Sequence, residues 1–213
     1  RFYAIKVLVM ERTGDFRNPS QPSEYRQLAA IMFTDIVSYS KLMSQNEQQA
    51  LDILRKNRLI QKTLVEQYNG KWVKEIGDGV LSMFRTAYDS QQCAISIQKT
   101  IREQCKHQVR IGIHLGDITL EGDDAFGDGV NIAARIQSIA DPGGIYVSES
   151  VFRAVMARSD HPVHDLGEIY LKNIVHPIRI YALVGDGLPS PSDQIQKPEV
   201  QKKKSLWPEV VDV

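Results

Sequence analysis

A nine-residue apolar run, LAAIMFTDI at residues 28–36, contains a single charged side chain, Asp35, close to its end. A continuous apolar run of this length is typical of a strand that is buried on both faces of a sheet. Residues 28–36 are therefore predicted to form a buried strand that carries an acid at its carboxyl end.

The segment 71–84, KWVKEIGDGVLSMF, has two apolar-alternating stretches on either side of Gly-Asp-Gly. This pattern predicts a β-hairpin with Asp78 at its tip. The other predicted elements are helices over 46–68, 87–104, 129–140 and 149–158, and strands over 109–120 and 145–148 and near 164–171 and 178–184. The first six elements follow the ferredoxin-like split βαβ order. The predicted fold class is thus α+β, with an antiparallel or mixed sheet that is covered by helices.

Charge and composition narrow the range of functions. The 213 residues contain 26 Lys and Arg against 26 Asp and Glu, and this balance argues against a protein whose main role is non-specific nucleic-acid binding. No apolar run approaches the length of a transmembrane helix. Two cysteines make no disulfide framework, so a reducing, cytoplasmic location is expected.

The two ends of the chain differ in composition from its middle. Residues 1–27 are predicted to be a strand and linker remnant, with a weak kinase-like AIK match that no further kinase motif supports. Residues 186–213 contain four prolines and the run Lys202–Lys204, and are predicted to be a tail or linker. Residues 28–185 between them are the predicted folded domain. The parent chain is expected to carry further regulatory or membrane domains.

Asp35 and Asp78 stand at a strand end and at a hairpin tip, and a split βαβ sheet makes those strands neighbours. Two carboxylates set among glycines form a hard-oxygen site that suits Mg²⁺. On position alone, the commoner explanation of Asp78 is that Asp-Gly serves the turn.

Further polar residues accompany the two acids. Lys74 lies four residues before Asp78, and Asn131 and Arg135 share one face of the helix predicted over 129–140. An arginine and an amide on one helix face suit a phosphate and a sugar hydroxyl. A solvated helix face is the commoner explanation when that helix is taken alone.

The order and spacing of five motifs closely resemble the catalytic domain of class III nucleotidyl cyclases, which has a palm-type core. The motifs are FTDIVSYS (33–40), KEIGDG (74–79), VRIGIHLGDI (109–118), DAFGDGVNIAAR (124–135) and LKNIVHPIRIYAL (171–183). The resemblance covers essentially all of 28–185. It implies an adenylate cyclase that converts ATP to 3′,5′-cyclic AMP and pyrophosphate by two-metal-ion catalysis, with Mg²⁺ or Mn²⁺ as cofactor.

The resemblance also implies roles for individual residues. Asp35, Asp78 and the carbonyl of Ile36 would hold two metal ions. Lys74 and Asp124 would read adenine, and a slip of one residue would put Asp123 in place of Asp124. The remaining assignments are Asn131 for the ribose, Arg135 for the transition state, and Arg110 and Lys172 for the triphosphate.

The family builds its active site between two subunits, and this chain carries both halves, so a homodimer with two equivalent sites is expected. A guanylate or mixed-specificity cyclase and a non-catalytic nucleotide-sensing dimerisation module are the alternatives. A diguanylate-cyclase-like enzyme is disfavoured because its signature is absent.

Two further residues of the motifs are given no catalytic role. Ser38 replaces the glycine of many relatives, and little effect is expected. His114 is predicted to pack in the core.

Overall fold

The computed structural model describes residues 24–122 and 124–192. Residues 1–23 of the predicted N-terminal strand and linker, most of the predicted tail, and Asp123 lie outside these residues. The elements are β1 (Glu24–Ile36), α1 (Tyr39–Gln45), α2 (Glu47–Gln67), β2 (Lys71–Ile76), β3 (Gly79–Phe84), α3 (Ala87–Gln104), β4 (Val109–Glu121), β5 (Asp124–Phe126), α4 (Asp128–Ile139), β6 (Ile145–Ser148), α5 (Glu149–Val155), β7 (Val163–Ile169) and β8 (Ile178–Leu183).

The strands form one mixed sheet in the order β2-β3-β1-β4-β6-β8-β7, and β5 pairs with β4 outside this path. The first four strands are antiparallel in the order β2-β3-β1-β4, whereas β6 runs parallel to β4. This arrangement confirms the predicted ferredoxin-like core and the mixed sheet. The apolar run predicted to be a buried strand is central β1, hydrogen-bonded to β3 and β4.

Alternate residues of β1 point into two different cores, as the pleat of a strand requires. Ala30, Met32 and Ile36 belong to the core that includes buried residues of α2, α3 and α5. Ala29, Ile31 and Phe33 belong to a second core with Ala125 of β5 and Ala133 of α4. The sheet is therefore covered on both faces.

The helix boundaries follow from their capping residues. Asn46 accepts the backbone N–H of Gln49 at the start of α2, and Thr86 accepts that of Asp89 at the start of α3. Side-chain acceptors at this position satisfy N–H groups that have no partner inside the helix. Within the described residues, no helix is long and apolar enough to cross a membrane.

Several elements differ from the sequence-based expectations. β1 begins at Glu24 rather than at residue 28, because its first residues pair with the end of β4. Helix α1 and strand β5 were not predicted, since both are too short to show periodicity. The described residues beyond 185 pack on the domain: Leu188 is buried and Ser192 donates two hydrogen bonds to Asp141. The divisions at 27/28 and 185/186 stay predictions.

Candidate active site

The end of β1 lies beside the tip of the β2–β3 hairpin, because Thr34 pairs with Val80 in the antiparallel ladder. Asp78 lies in the two-residue turn and accepts the backbone N–H of Ile36 through Oδ2 at 3.0 Å. Gly77 precedes it with a φ of 63°, a conformation that favours glycine. The structure thus brings Asp78 against the residue that follows Asp35.

The environment of Asp78, which includes Asp35, changes the ionisation of its carboxyl group. The pKa of Asp78 is raised to about 6, first by burial and then by the negative charge of Asp35 and a hydrogen bond with it. Asp35 accepts a hydrogen bond from Arg110 at 2.6 Å, and the two residues are paired across β1 and β4. The Nε atom of Arg110 is buried without a partner in the described part of the chain.

These residues fit a divalent cation in charge and in donor type. The site carries the carboxyl groups of Asp35 and Asp78 against one guanidinium, that of Arg110, which pairs with Asp35, and carboxylate oxygens suit Mg²⁺ or Mn²⁺. The described residues contain no group of three or more His, Cys, Asp or Glu side chains that could hold a metal. A metal would therefore depend on Asp35, Asp78 and a backbone oxygen, for which Ile36 at the end of β1 is the predicted donor.

A second pair of charged residues, Lys74 and Asp124, joins β2 to β5. Nζ of Lys74 on β2 is 2.6 Å and 2.8 Å from the two carboxylate oxygens of Asp124 on β5, and 5.2 Å from the ring centroid of Phe126. The hydrogen bond from Lys74 lowers the pKa of Asp124. Both side chains are about a third exposed, so a ligand can reach them. Short strand β5, which the sequence did not predict, creates this pairing.

Helix α4 carries two of the predicted site residues. It packs closely on β4 because residue 112 is a glycine, and a Cβ there would lie 2.2 Å from the backbone nitrogen of Gln137. Asn131 is exposed and Arg135 half-buried, and neither side chain bonds to another described residue. Lys172 is also exposed, in a turn after β7. No hydrogen bond or ion pair within the described chain joins Asn131 or Arg135 to the two acids or to Lys74.

The model of the adenylate and guanylate cyclase catalytic domain matches residues 21–185, most of the chain. The chain belongs to this family. A crystal structure of an adenylate/guanylate cyclase/hydrolase from Silicibacter pomeroyi is 40% identical, with a TM-score of 0.71 over 76% of this chain and 99% of that one. The family and the fold implied by the five motifs are thus confirmed.

Curated relatives of this cyclase domain are longer chains. A putative adenylate cyclase 3 from Rhizobium meliloti is 36% identical over 81% of this chain and 30% of its own length. An adenylate cyclase from Streptomyces coelicolor is 27% identical over 64% of this chain and 36% of its own length. The chain therefore spans about a third of the length of these two relatives.

Sequence reasoning missed the polar residues that surround the site in the cyclase domain. Leu59 of α2 is 70% exposed although it is apolar, whereas Asn57 and Gln61 are fully buried. The series 50, 54, 57, 61 and 65 has helical spacing, and it is the buried one. The positions of Asn57 and Gln61 in this helical series were the sequence signal that could have indicated buried polar contacts.

His114 is half-buried on β4. Its Nδ1 is 2.9 Å from the hydroxyl of Ser148, which contacts Ser150 at 2.9 Å. Burial lowers the pKa of His114 to about 4, so its imidazole is neutral at physiological pH. The hydrogen bond and the neutral state support a structural role.

Proposed function

We propose that this cyclase domain converts ATP to 3′,5′-cyclic AMP and pyrophosphate with Mg²⁺ or Mn²⁺. The observation that carries this proposal is the pairing of Lys74 with Asp124 on the surface of the domain. An ammonium group and a carboxylate held side by side offer one donor and one acceptor. Adenine presents the complementary pair, because N1 accepts a hydrogen bond and the exocyclic amine donates one.

Guanine presents the opposite pattern at the same edge, with a carbonyl at C6 and a protonated N1. A carbonyl facing Asp124 and an N–H facing Lys74 would leave both protein groups without a partner, which is an effective way to reject a base. The ion pair also holds Lys74 and Asp124 in place before the base arrives. Adenine must replace the contact that they make with each other.

We assign the phosphate and sugar contacts to the cationic and amide side chains. Asn131 orients the ribose, and Arg135 stabilises the charge that builds on the α-phosphate. Arg110 and Lys172 bind the triphosphate. Divalent ions held by Asp35, Asp78 and the Ile36 carbonyl would neutralise phosphate charge and acidify the ribose 3′-hydroxyl. Asp35 and Asp78 must be ionised to hold them.

We further propose that the active site forms between two copies of the domain. The side chains of Asn131 and Arg135 make no hydrogen bond or ion pair with another described residue, and therefore none with the acids of the same chain. A two-fold dimer supplies the missing half, because each copy carries the complete set of residues. In such a dimer Lys74 and Asp78 of one hairpin serve different sites.

Two alternatives remain distinct from an adenylate cyclase. The family includes guanylate cyclases, so a guanylate or mixed-specificity enzyme has the same fold. A non-catalytic nucleotide-sensing module would be expected to lack an acid of the metal pair or the Asn131 and Arg135 pair. All four residues are present in this chain.

The test is a measurement of cyclic AMP and cyclic GMP made from ATP and GTP, with Mg²⁺ and with Mn²⁺. Cyclic AMP from the wild type and none from Asp35→Ala is the expected result. Equal turnover of GTP would overturn the adenine assignment.

Mixing Asp35→Ala with Arg135→Ala tests the shared site. Each variant alone is expected to be inactive, and mixed dimers contain one intact site. If the mixture stays inactive, the shared-site proposal fails.

A further inference from the structure

One turn of helix α2 carries three polar side chains, Asn57, Arg58 and Gln61, that bind to segments next to the two acids. Asn57 and Gln61 are completely buried, and Nε2 of Gln61 donates to Oδ1 of Asn57 at 3.1 Å. Buried amides are kept in proteins when their hydrogen bonds hold a particular arrangement in place. The hydrogen-bond partners of these three side chains therefore indicate which segments of the chain α2 keeps in position.

The first partner lies on β1. The hydroxyl of Thr34 donates to Oε1 of Gln61 at 2.9 Å, and both side chains are fully buried. Thr34 immediately precedes Asp35 and points to the opposite face of the strand. The bond thus fixes the strand at the position from which the Asp35 carboxylate extends.

The second partner is the hairpin tip. The guanidinium of Arg58 donates to the carbonyl of Gly77 at 3.2 Å and forms an ion pair with Glu75 at 2.8 Å. Gly77 immediately precedes Asp78. Arg58 and Gln61 lie one helical turn apart, so a single turn of α2 contacts the neighbour of each acid.

The third partner precedes β4. Nε2 of His107 is 3.3 Å from Oδ1 of Asn57, and because an amide oxygen can only accept, Nε2 must carry the proton in this hydrogen bond. The next residue, Gln108, accepts the backbone N–H of Val37, which follows the end of β1. Helix α2 therefore joins β1, the hairpin and the start of β4 at the edge of the sheet where Asp35 and Asp78 meet.

We propose that Arg58 and the Thr34–Gln61–Asn57 chain are positioning residues, which set the spacing of the Asp35 and Asp78 carboxylates for a divalent cation. This inference rests on the proposed role of the two acids. None of the positioning residues touches the metal or the nucleotide. Residues that orient metal ligands typically change metal affinity by about tenfold or more when they are removed.

The test uses Thr34→Val and Arg58→Ala, each paired with a conservative variant. Thr34→Ser keeps the hydroxyl and Arg58→Lys keeps the charge. Arg55→Ala is the matched control, because Arg55 lies on the same helix and pairs only with exposed Asp52 in the described structure. Binding of Mn²⁺ is measured by electron paramagnetic resonance of the free ion in the presence of 3′-deoxy-ATP, which cannot cyclise. Circular dichroism reports whether each variant folds.

Thr34→Val and Arg58→Ala are expected to weaken Mn²⁺ binding about tenfold, whereas Thr34→Ser, Arg58→Lys and Arg55→Ala stay close to the wild type. In cyclase assays the metal requirement rises, and KM for ATP at saturating metal is unchanged. Folded variants that bind Mn²⁺ like the wild type would overturn the inference, as would an equal loss in Arg55→Ala. A wild type that binds Mn²⁺ but makes no cyclic AMP would contradict the proposed function and leave the positioning role standing.

Discussion

Asp35 and Arg110 face each other across strands β1 and β4 and form an ion pair at 2.6 Å. Both side chains are about 30% exposed. In the absence of a cation, Arg110 is the group that offsets the charge of Asp35. Arg110 was assigned to the triphosphate from the resemblance, and its place beside Asp35 gives it a second role in the nucleotide-free protein.

Arg110→Met is therefore expected to reduce both activity and stability. Removing the guanidinium leaves the Asp35 carboxylate without its cationic partner, and the loss of a charged hydrogen bond costs about 1–3 kcal/mol. Cyclase activity is expected to fall about 100-fold, as for other preorganised donors. Thermal unfolding and cyclic AMP production are the measurements. Arg153→Met, which breaks an exposed pair with Glu149, should change neither.

Exchanging the proposed base-reading pair, Lys74 and Asp124, should change nucleotide selectivity. Lys74→Glu with Asp124→Cys puts an acceptor in place of the ammonium donor and a thiol donor in place of the carboxylate acceptor. We expect ATP turnover to fall and GTP turnover to rise, because glutamate can accept from the protonated N1 of guanine. Side-by-side kcat/KM values for ATP and GTP check this. An unchanged preference would show that neither residue reads the base.

His114 should make stability depend on pH. An unfolded histidine takes up its proton near pH 6.5, whereas burial lowers the pKa of folded His114 to about 4. Between these values the unfolded state binds more protons, so stability is fully present above pH 6.5 and falls as the pH decreases towards 4. The loss from this group is at most about 3 kcal/mol.

Urea unfolding of the wild type and His114→Gln from pH 4 to pH 7 measures this contribution. The free energy of unfolding of His114→Gln should decrease less between pH 7 and pH 4 than that of the wild type. His176→Gln, at an exposed position, is the control and should keep it. Identical pH profiles for the wild type and His114→Gln would contradict the prediction.

The backbone conformation of Ser38 is expected to lower the stability of the domain, which the sequence did not indicate. Its replacement of a glycine was expected to matter little, but its φ of 58° lies in the left-handed region. A non-glycine residue there costs roughly 1 kcal/mol. Ser38→Gly should therefore raise the free energy of unfolding by about 0.5–1 kcal/mol, and Ser38→Val should lower it. Denaturant titration of both variants distinguishes this from a neutral position.

The main elements and the meeting of Asp35 and Asp78 could be predicted because they depend on local patterns and on one topological rule. The apolar run of β1, the Gly-Asp-Gly turn and the split βαβ order together place the strands that carry both acids side by side. The contact of Lys74 with Asp124 could not be derived from periodicity, since β5 has only three residues. The polar contacts of Asn57 and Gln61 were hidden because buried amides break the apolar stripe of α2.

The last described residue, Ser192, is bonded to the segment that follows helix α4. Ser192 donates to both carboxylate oxygens of Asp141, and Asp141 follows Ala140, the residue that caps α4. The chain beyond Ser192 therefore leaves the domain beside the carboxyl end of the helix that carries Asn131 and Arg135.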